Sequence, residues 1–287
     1  MLKVHLMIID PQNDFMGEDD GSPYRVRTTN GTALAASLAV KGAVSDMTRL
    51  ARMVDRIGPR LEDIHVTLDS HRVIDVAHSG MWRDANGKPP APFTLILHDD
   101  IANGIWNTRN PAHRERMLRY ADTLETQGKY KLIIWPEHCL IGSWGHNVLA
   151  IAMRSFTQWE RTQFANVEYI TKGSNPFTEH YGALMAEVPD PDDPSTQLNT
   201  EFIKMLQDAD IIAIAGEASS HCVRETMYQV ANNIGDKHLK KFSLLTDCMS
   251  PVSPAPGTPD FPLIAKEFLE DMRTRGMTLT TSDHFLA

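Results

Sequence analysis

The sequence predicts an α/β fold built on a mainly parallel sheet, and three observations carry that prediction. Short apolar runs of strand length alternate with segments of helical periodicity. The runs are nearly unbroken in apolar residues, as strands buried on both faces are. Chemically capable side chains stand directly after most of them, where the ligand site of a parallel sheet lies.

Taken in order, the expected strands are Val4–Ile9, Asp63–Leu68, Lys131–Trp135, Asn166–Thr171, Ile211–Ala215 and Phe242–Thr246. Expected helices cover Val44–Ile57, Thr200–Leu206, Ser220–Ile234 and Pro262–Arg275, with a polar helical segment around Pro111–Leu124. The helix after Ile211–Ala215 shows its face in Val223, Met227, Val230 and Ile234, and Gly235 closes it. Three stretches read as insertions into the framework: 16–38, 72–127 and 176–197. The first is rich in Gly, Asp, Ser and Thr, the second is long for one crossover, and the third contains PDPDDPS, a turn-forming run. Long loops of this sort serve as lids or subunit contacts, so they are candidate surfaces for a homo-oligomer. No repeat and no linker divides the chain, so residues 1–287 are expected to form a single domain.

Composition narrows the function. The 287 residues are 42% hydrophobic and 23% charged, as in an ordinary globular protein. The formal net charge is −9 and no basic run occurs, which argues against nucleic acid and against an anionic membrane surface. No apolar segment reaches membrane-spanning length. Cys139, Cys222 and Cys248 cannot all pair, so a reducing, cytoplasmic location is expected.

The residues that end the strands carry the chemistry. Cys222 falls at the first turn of a helix, just after a strand. Unpaired N–H groups and the positive helix end favour a thiolate there and are placed to hold an oxyanion. Taken alone, a buried cysteine that packs helix on sheet is the commoner case. Asp10 ends the first strand and suits a general base for a thiol, or else a turn cap. Asp14 reads as a cap in the polar turn that follows, and Phe15 as apolar wall. Lys172 follows another strand and is placed to hold a thiol's negative charge. Gly173 after it allows close approach of another segment. Asp69 and His71, two residues apart, share one face of extended chain. With His138 they make an Asp, His, His set suited to zinc, manganese or iron. His78 is a further candidate ligand, or a surface histidine. Cys139 is expected to point away from the site and pack.

These residues resemble the Asp–Lys–Cys triad of the isochorismatase-like cysteine hydrolases, and the likeness extends to the metal-dependent nicotinamidases. IIDPQNDF is similar to their Asp-x-Gln-x-Asp-Phe motif. TLDSH is similar to Asp-Trp-His, with Ser70 in place of tryptophan. WPEHCLIGSWG resembles Trp-Pro-x-His-Cys-x-x-Gly-Thr-x-Gly, with Ser143 for threonine. GEASSHCV resembles Gly-x-Ala-Thr-Asp-Tyr-Cys-Val, with Ser219, Ser220 and His221 in the variable places.

The resemblance implies a three-layer α/β/α fold around a six-stranded, mainly parallel sheet, and a cis peptide before Ala218. It implies Asp10, Lys172 and Cys222 as catalytic residues, and an oxyanion hole from the N–H groups of Ala218 and Cys222. Phe15 and Trp135 would flank an aromatic ring. A divalent metal, zinc first and manganese or iron as alternatives, would sit on Asp69, His71 and His138 and hold the ring nitrogen and water. The implied activity is hydrolysis of a small carboxamide, nicotinamide first. The alternatives are another amide or ureido substrate, or a non-catalytic relative acting as a binding module.

Overall fold

The computed structural model describes residues 2–127 and 130–287. Six parallel strands form the main sheet: β1 (Val4–Ile9), β2 (Asp63–Asp69), β3 (Glu168–Lys172), β4 (Ile211–Gly216), β5 (Phe242–Leu245) and β6 (Thr278–Thr280). Their order is β6-β5-β4-β1-β2-β3, and every neighbouring pair is parallel. Helices on both faces complete a three-layer α/β/α arrangement. The longer helices are α1 (Ala43–Ile57), α2 (Arg114–Gln127), α3 (Ala150–Gln163), α4 (Thr200–Asp208), α5 (Cys222–Asn233) and α6 (Phe261–Thr274), of which α2 packs within the 72–127 insertion.

Strands β1 and β4 are fully or almost fully buried, as their unbroken apolar runs require. Helix α1 packs on α3 and buries Met47, Leu50, Val54 and Ile57 at helical spacing. Each such side chain contributes about 1.5–3 kcal/mol on leaving water. Side-chain caps from Asn199 and Asp260 start α4 and α6.

The topology places a crevice. From β1 the chain moves to β2 on one side, and from β4 it moves to β5 on the other. Adjacent strands whose connections diverge leave an opening beyond their carboxyl ends, the usual ligand position. Asp10 and the 216–222 loop stand there. Gly216 takes φ +118°, and a side chain on it would strike the Ile9 backbone, so glycine lets β4 end this close to β1.

Three elements differ from expectation. Lys131–Trp135 is not a strand of the main sheet. Leu132–Ile133 pairs antiparallel with Leu95–Ile96, and the Ile134 and Trp135 N–H groups donate to Thr94 and Ala77. The sixth strand is instead Thr278–Thr280, a short and partly exposed edge whose polar composition hides it. Helix α3 was also not expected, because its buried face rests on only Ala152, Ser155, Phe156 and Trp159 in a polar segment.

The insertions carry structure of their own. Within 16–38, Arg25–Arg27 and Ala33–Ala35 form an antiparallel pair. The 72–127 segment carries α2 and most of a second apolar cluster, centred on Trp82, Ile96, Ile101, Met117 and Leu124. No helix among the described residues is long and apolar enough to cross a membrane.

Candidate active site

Lys172 is the hub. Its side chain is 0% exposed, with Nζ 2.9 Å from Asp10 Oδ2 and 3.1 Å from Asp69 Oδ1. It also donates to the His180 carbonyl at 3.1 Å and lies 3.6 Å from Cys222 Sγ. Burial alone would drive a lysine towards neutrality, but Asp10 and Asp69 outweigh it and hold the ammonium well above its ordinary value. Gly173 beside it takes φ +80°, and a side chain there would press on Asp69.

Asp10 is fully buried in the left-handed backbone region at φ +46°, a conformation that tends to persist at functional sites. Its N–H donates to Thr67 Oγ1 at 3.0 Å, and the Thr67 hydroxyl donates back to Oδ1 at 2.5 Å. Burial raises the carboxyl above its usual range, against the pull of Lys172. That suits a group that must accept a proton. Burial pushes the Cys222 thiol well above its ordinary value despite Lys172, and the neighbouring Asp10 carboxyl adds to the rise. The resting sulfur is therefore a thiol, and attack requires transfer of its proton.

Cys222 opens α5, and no side chain caps that helix. The Glu217–Ala218 peptide is cis. The Ala218 carbonyl accepts from His221 and Val223. Among the described residues, neither the Ala218 nor the Cys222 N–H donates to a protein acceptor. The loop is laced to 248–252: Gly216 donates to Cys248, Ser219 to Ser250, Ser250 to Glu217 Oε2, and Val252 to Ser220 Oγ.

Asp69, His71 and His138 meet beside this group. Asp69 Oδ2 lies 3.0 Å from His71 Nε2 and 3.5 Å from His138 Nε2. Ligands of a tetrahedral zinc stand about 3.4 Å apart, given bonds of about 2.0–2.1 Å. The tautomers follow from the partners. His71 Nδ1 faces Asp75, His78 Nδ1 faces the Arg72 carbonyl, and His138 Nδ1 faces the Pro136 carbonyl. These partners only accept, which places a hydrogen on each Nδ1; the Nε2 atoms of His71 and His138 both face Asp69 Oδ2, and His78 Nε2 faces His138 at 3.3 Å. Ligand atoms of His71, His78 and His138 lie within 4.8 Å of one another. Burial, with His138 and His71 nearby, pushes His78 down to about 2, so it stays neutral, as a ligand must. Asp69 is held well below the carboxylate range; burial opposes this, but His71 and Lys172 prevail. Burial likewise opposes protonation of His71, but Asp69 and Asp75 raise it well above its ordinary value, so a bound ion would have to displace the Nε2 proton there. The donor set fits a divalent ion.

Phe15 packs edge-on to His138, with ring centres 5.4 Å apart. Trp135 donates to the Tyr181 hydroxyl at 3.0 Å and meets His221 edge-on at 5.2 Å. Together with Asp69, His138, Ala218 and Cys222 these rings enclose a cavity of about 20 Å³. Cys139 is buried in the core, and Asp14 accepts its N–H at 2.7 Å, tying the His138 turn to β1.

Several residues here were not singled out from the sequence. Gln12 donates to the Asp69 carbonyl at 2.8 Å and accepts the Asp69 N–H at 2.7 Å, locking the ends of β1 and β2 together. Glu179 lines the cavity with Oε2 buried and unpartnered, and burial pushes its carboxyl up to about 7. Tyr181 and His180 come from the same 176–197 segment. Nothing local marks them, although a charged residue in an otherwise turn-rich insertion is a weak signal.

No family model matches the chain, and no curated protein matches it by sequence. Solved structures do. The yeast nicotinamidase bound to nicotinaldehyde superposes with TM-score 0.60 at 17% identity, covering 97% of this chain and 99% of that one. The chain therefore shares the fold of that solved structure. An isochorismatase family protein from Desulfovibrio vulgaris matches with TM-score 0.50 at 15% identity, over 99% of this chain and 96% of that one. The Pyrococcus horikoshii pyrazinamidase in complex with zinc matches with TM-score 0.51 at 16% identity, over 97% and 99%. What this chain shares with them at such identities is the architecture.

Its buried histidines make a prediction about acid. Burial, with His65 nearby, pushes His5 down to about 4. Burial, with Lys172 and Arg224 respectively, pushes His180 and His221 down to about 3. Each folded value lies below the unfolded one of about 6.5. Between those values the unfolded chain binds more protons, so stability is full above about pH 6.5 and is lost as pH falls towards 4. Each histidine contributes a slope of about 1.4 kcal/mol per pH unit, so the three together give about 4. Groups raised by burial, such as Glu179, act with the opposite sign over this range, so the check is residue-specific: ring-nitrogen NMR at pH 5 should show these three histidines neutral, and imidazolium signals from them would contradict neutral burial.

Proposed function

We propose that this chain is a metal-containing cysteine amidohydrolase and that nicotinamide is its leading substrate. The observation that carries the proposal is the meeting of Asp10, Lys172 and Cys222, with Lys172 Nζ 2.9 Å from Asp10 and 3.6 Å from Sγ, where Cys222 lines a small cavity. Three separate strand ends supply these groups, and a binding module has no need of all three. The likeness in fold to a nicotinamidase and a pyrazinamidase adds support.

In this mechanism Asp10 takes the thiol proton as Sγ attacks the carboxamide carbon. Lys172 stays charged and stabilises the anion that forms between sulfur and carboxylate. The free N–H groups of Ala218 and Cys222 hold the oxyanion; one such donor is worth about 3 kcal/mol of barrier. The C–N bond breaks as Asp10 returns its proton to the leaving ammonia. Asp10, again a carboxylate, then removes a proton from water as the water attacks the thioester, and the acid and thiol are released. Phe15 and Trp135 flank the ring. Asp69, His71 and His138, with His78 alongside, would hold a divalent ion, zinc first, which supplies a Lewis acid beside the nucleophile.

Ammonia release from nicotinamide by the purified protein tests the reading. Turnover is expected with zinc, is expected to fall after chelation, and should return when the ion is restored. A metal-loaded sample that releases no ammonia from nicotinamide would sink nicotinamide as substrate. A panel of ureido compounds and other small amides then separates a different amidohydrolase from a binding module.

A further inference from the structure

We propose that a neutral aromatic substituent on the substrate ring occupies a second cavity beyond His221, so that this chain favours aryl-substituted carboxamides over the bare ring. The inference rests on the amidohydrolase reading and concerns the same site. The cavity at Cys222, of about 20 Å³, has room for roughly one water molecule. Next to it lies a cavity of about 610 Å³, the size of an ordinary small-molecule site. His221 lines both.

His221 is held by packing more than by hydrogen bonds. Its ring meets Phe261 edge-on at 4.7 Å and stacks near Tyr130 at 5.9 Å on the outer side, while Trp135 touches it from the inner side. Its Nδ1 bonds only the hydroxyl of the adjacent Ser220, at 2.9 Å. In this proposal the ring, which also neighbours Tyr181 at 5.5 Å, rotates on substrate binding and so joins the two spaces. A carbonyl at Cys222 then leaves the rest of the molecule directed outward.

The lining states the ligand class. Tyr130, Tyr228, Phe261 and Phe268 offer aromatic surface. The charges balance, with Arg224 and Lys131 against Glu125 and Glu267. Arg224 is already engaged: it donates to the Tyr130 hydroxyl at 2.7 Å and lies 5.4 Å and 4.9 Å from the ring centres of Tyr130 and Tyr228. With two lining charges of each sign among the described residues, an ionic tail gains no net attraction, whereas a flat neutral group gains contact with the rings.

Calorimetry on zinc-loaded Cys222→Ala tests this without turnover, using nicotinamide, 5-phenylnicotinamide and 6-phenylnicotinamide. At least one phenyl compound is expected to bind tenfold or more tighter than nicotinamide. Ile264 lines only the outer cavity, and Ile264→Trp should cancel that gain while leaving nicotinamide affinity within twofold. Glu267→Trp, from the exposed rim, serves as a second block. Phenyl compounds that bind no tighter than nicotinamide, or a gain that survives both tryptophans, would overturn the inference. Ammonia release by the wild-type chain is read separately. Turnover of nicotinamide with no phenyl preference removes the outer subsite alone, and tight phenyl binding without turnover removes the amidohydrolase reading alone.

Discussion

Cys222→Ala is expected to lower amide turnover by at least about 10⁴-fold, or about 5 kcal/mol of barrier, while the fold and the bound metal are retained. The residue is 6% exposed and its thiol is small, so alanine leaves little void. What disappears is the only atom placed to form the thioester. Asp10 and Lys172 remain, but they then polarise nothing. Ammonia release checks the loss, metal content by mass spectrometry checks the site, and intact mass after mixing with substrate checks for an acyl adduct in the wild type. If the metal-loaded alanine variant still hydrolyses the amide, covalent catalysis is wrong.

Lys172→Met is expected to cost about 3–5 kcal/mol of stability in addition to activity, because it strands two buried carboxylates without their counter-charge. Asp10 and Asp69 both face the lysine within 3.1 Å, and all three side chains are nearly inaccessible. Adding Asp10→Asn to Lys172→Met should recover part of the loss, since it removes one of the stranded charges. The double-mutant cycle in urea measures that coupling. A lysine variant within about 1 kcal/mol of wild type would mean that the cluster is not charged as argued. The sign with pH is fixed as well. The folded value of Lys172 lies above the ordinary 10.5, so its contribution is full below that pH and is lost only as pH rises through the folded value.

Much of this site was legible from strand ends. Asp10, Asp69, Lys172 and Cys222 each follow an apolar run, and a parallel sheet brings such positions to one edge whatever lies between them in sequence. His138 was legible by the same argument, though for a different structural reason. The run before it pairs with the 72–127 insertion and lies outside the main sheet. Glu179 and Tyr181 were not legible, because their segment reads as turns and its path over the site is set by long-range bonds such as Thr226 to Ala183 and Gln229 to Leu184. His221 was visible only as a departure from a motif. Its place between two cavities depends on Tyr130 and Phe261, residues 91 before and 40 after it in the numbering.

The sequence by itself determined the framework and the chemically capable strand ends, because an apolar run stops where a polar side chain meets solvent or a site, and that boundary is local. The tertiary structure alone decided which run completes the sheet, which tautomer each histidine takes, how tightly the cavity closes and what lies beyond it. Those outcomes depend on pairing and packing energies between distant segments, and no single stretch of chain carries them.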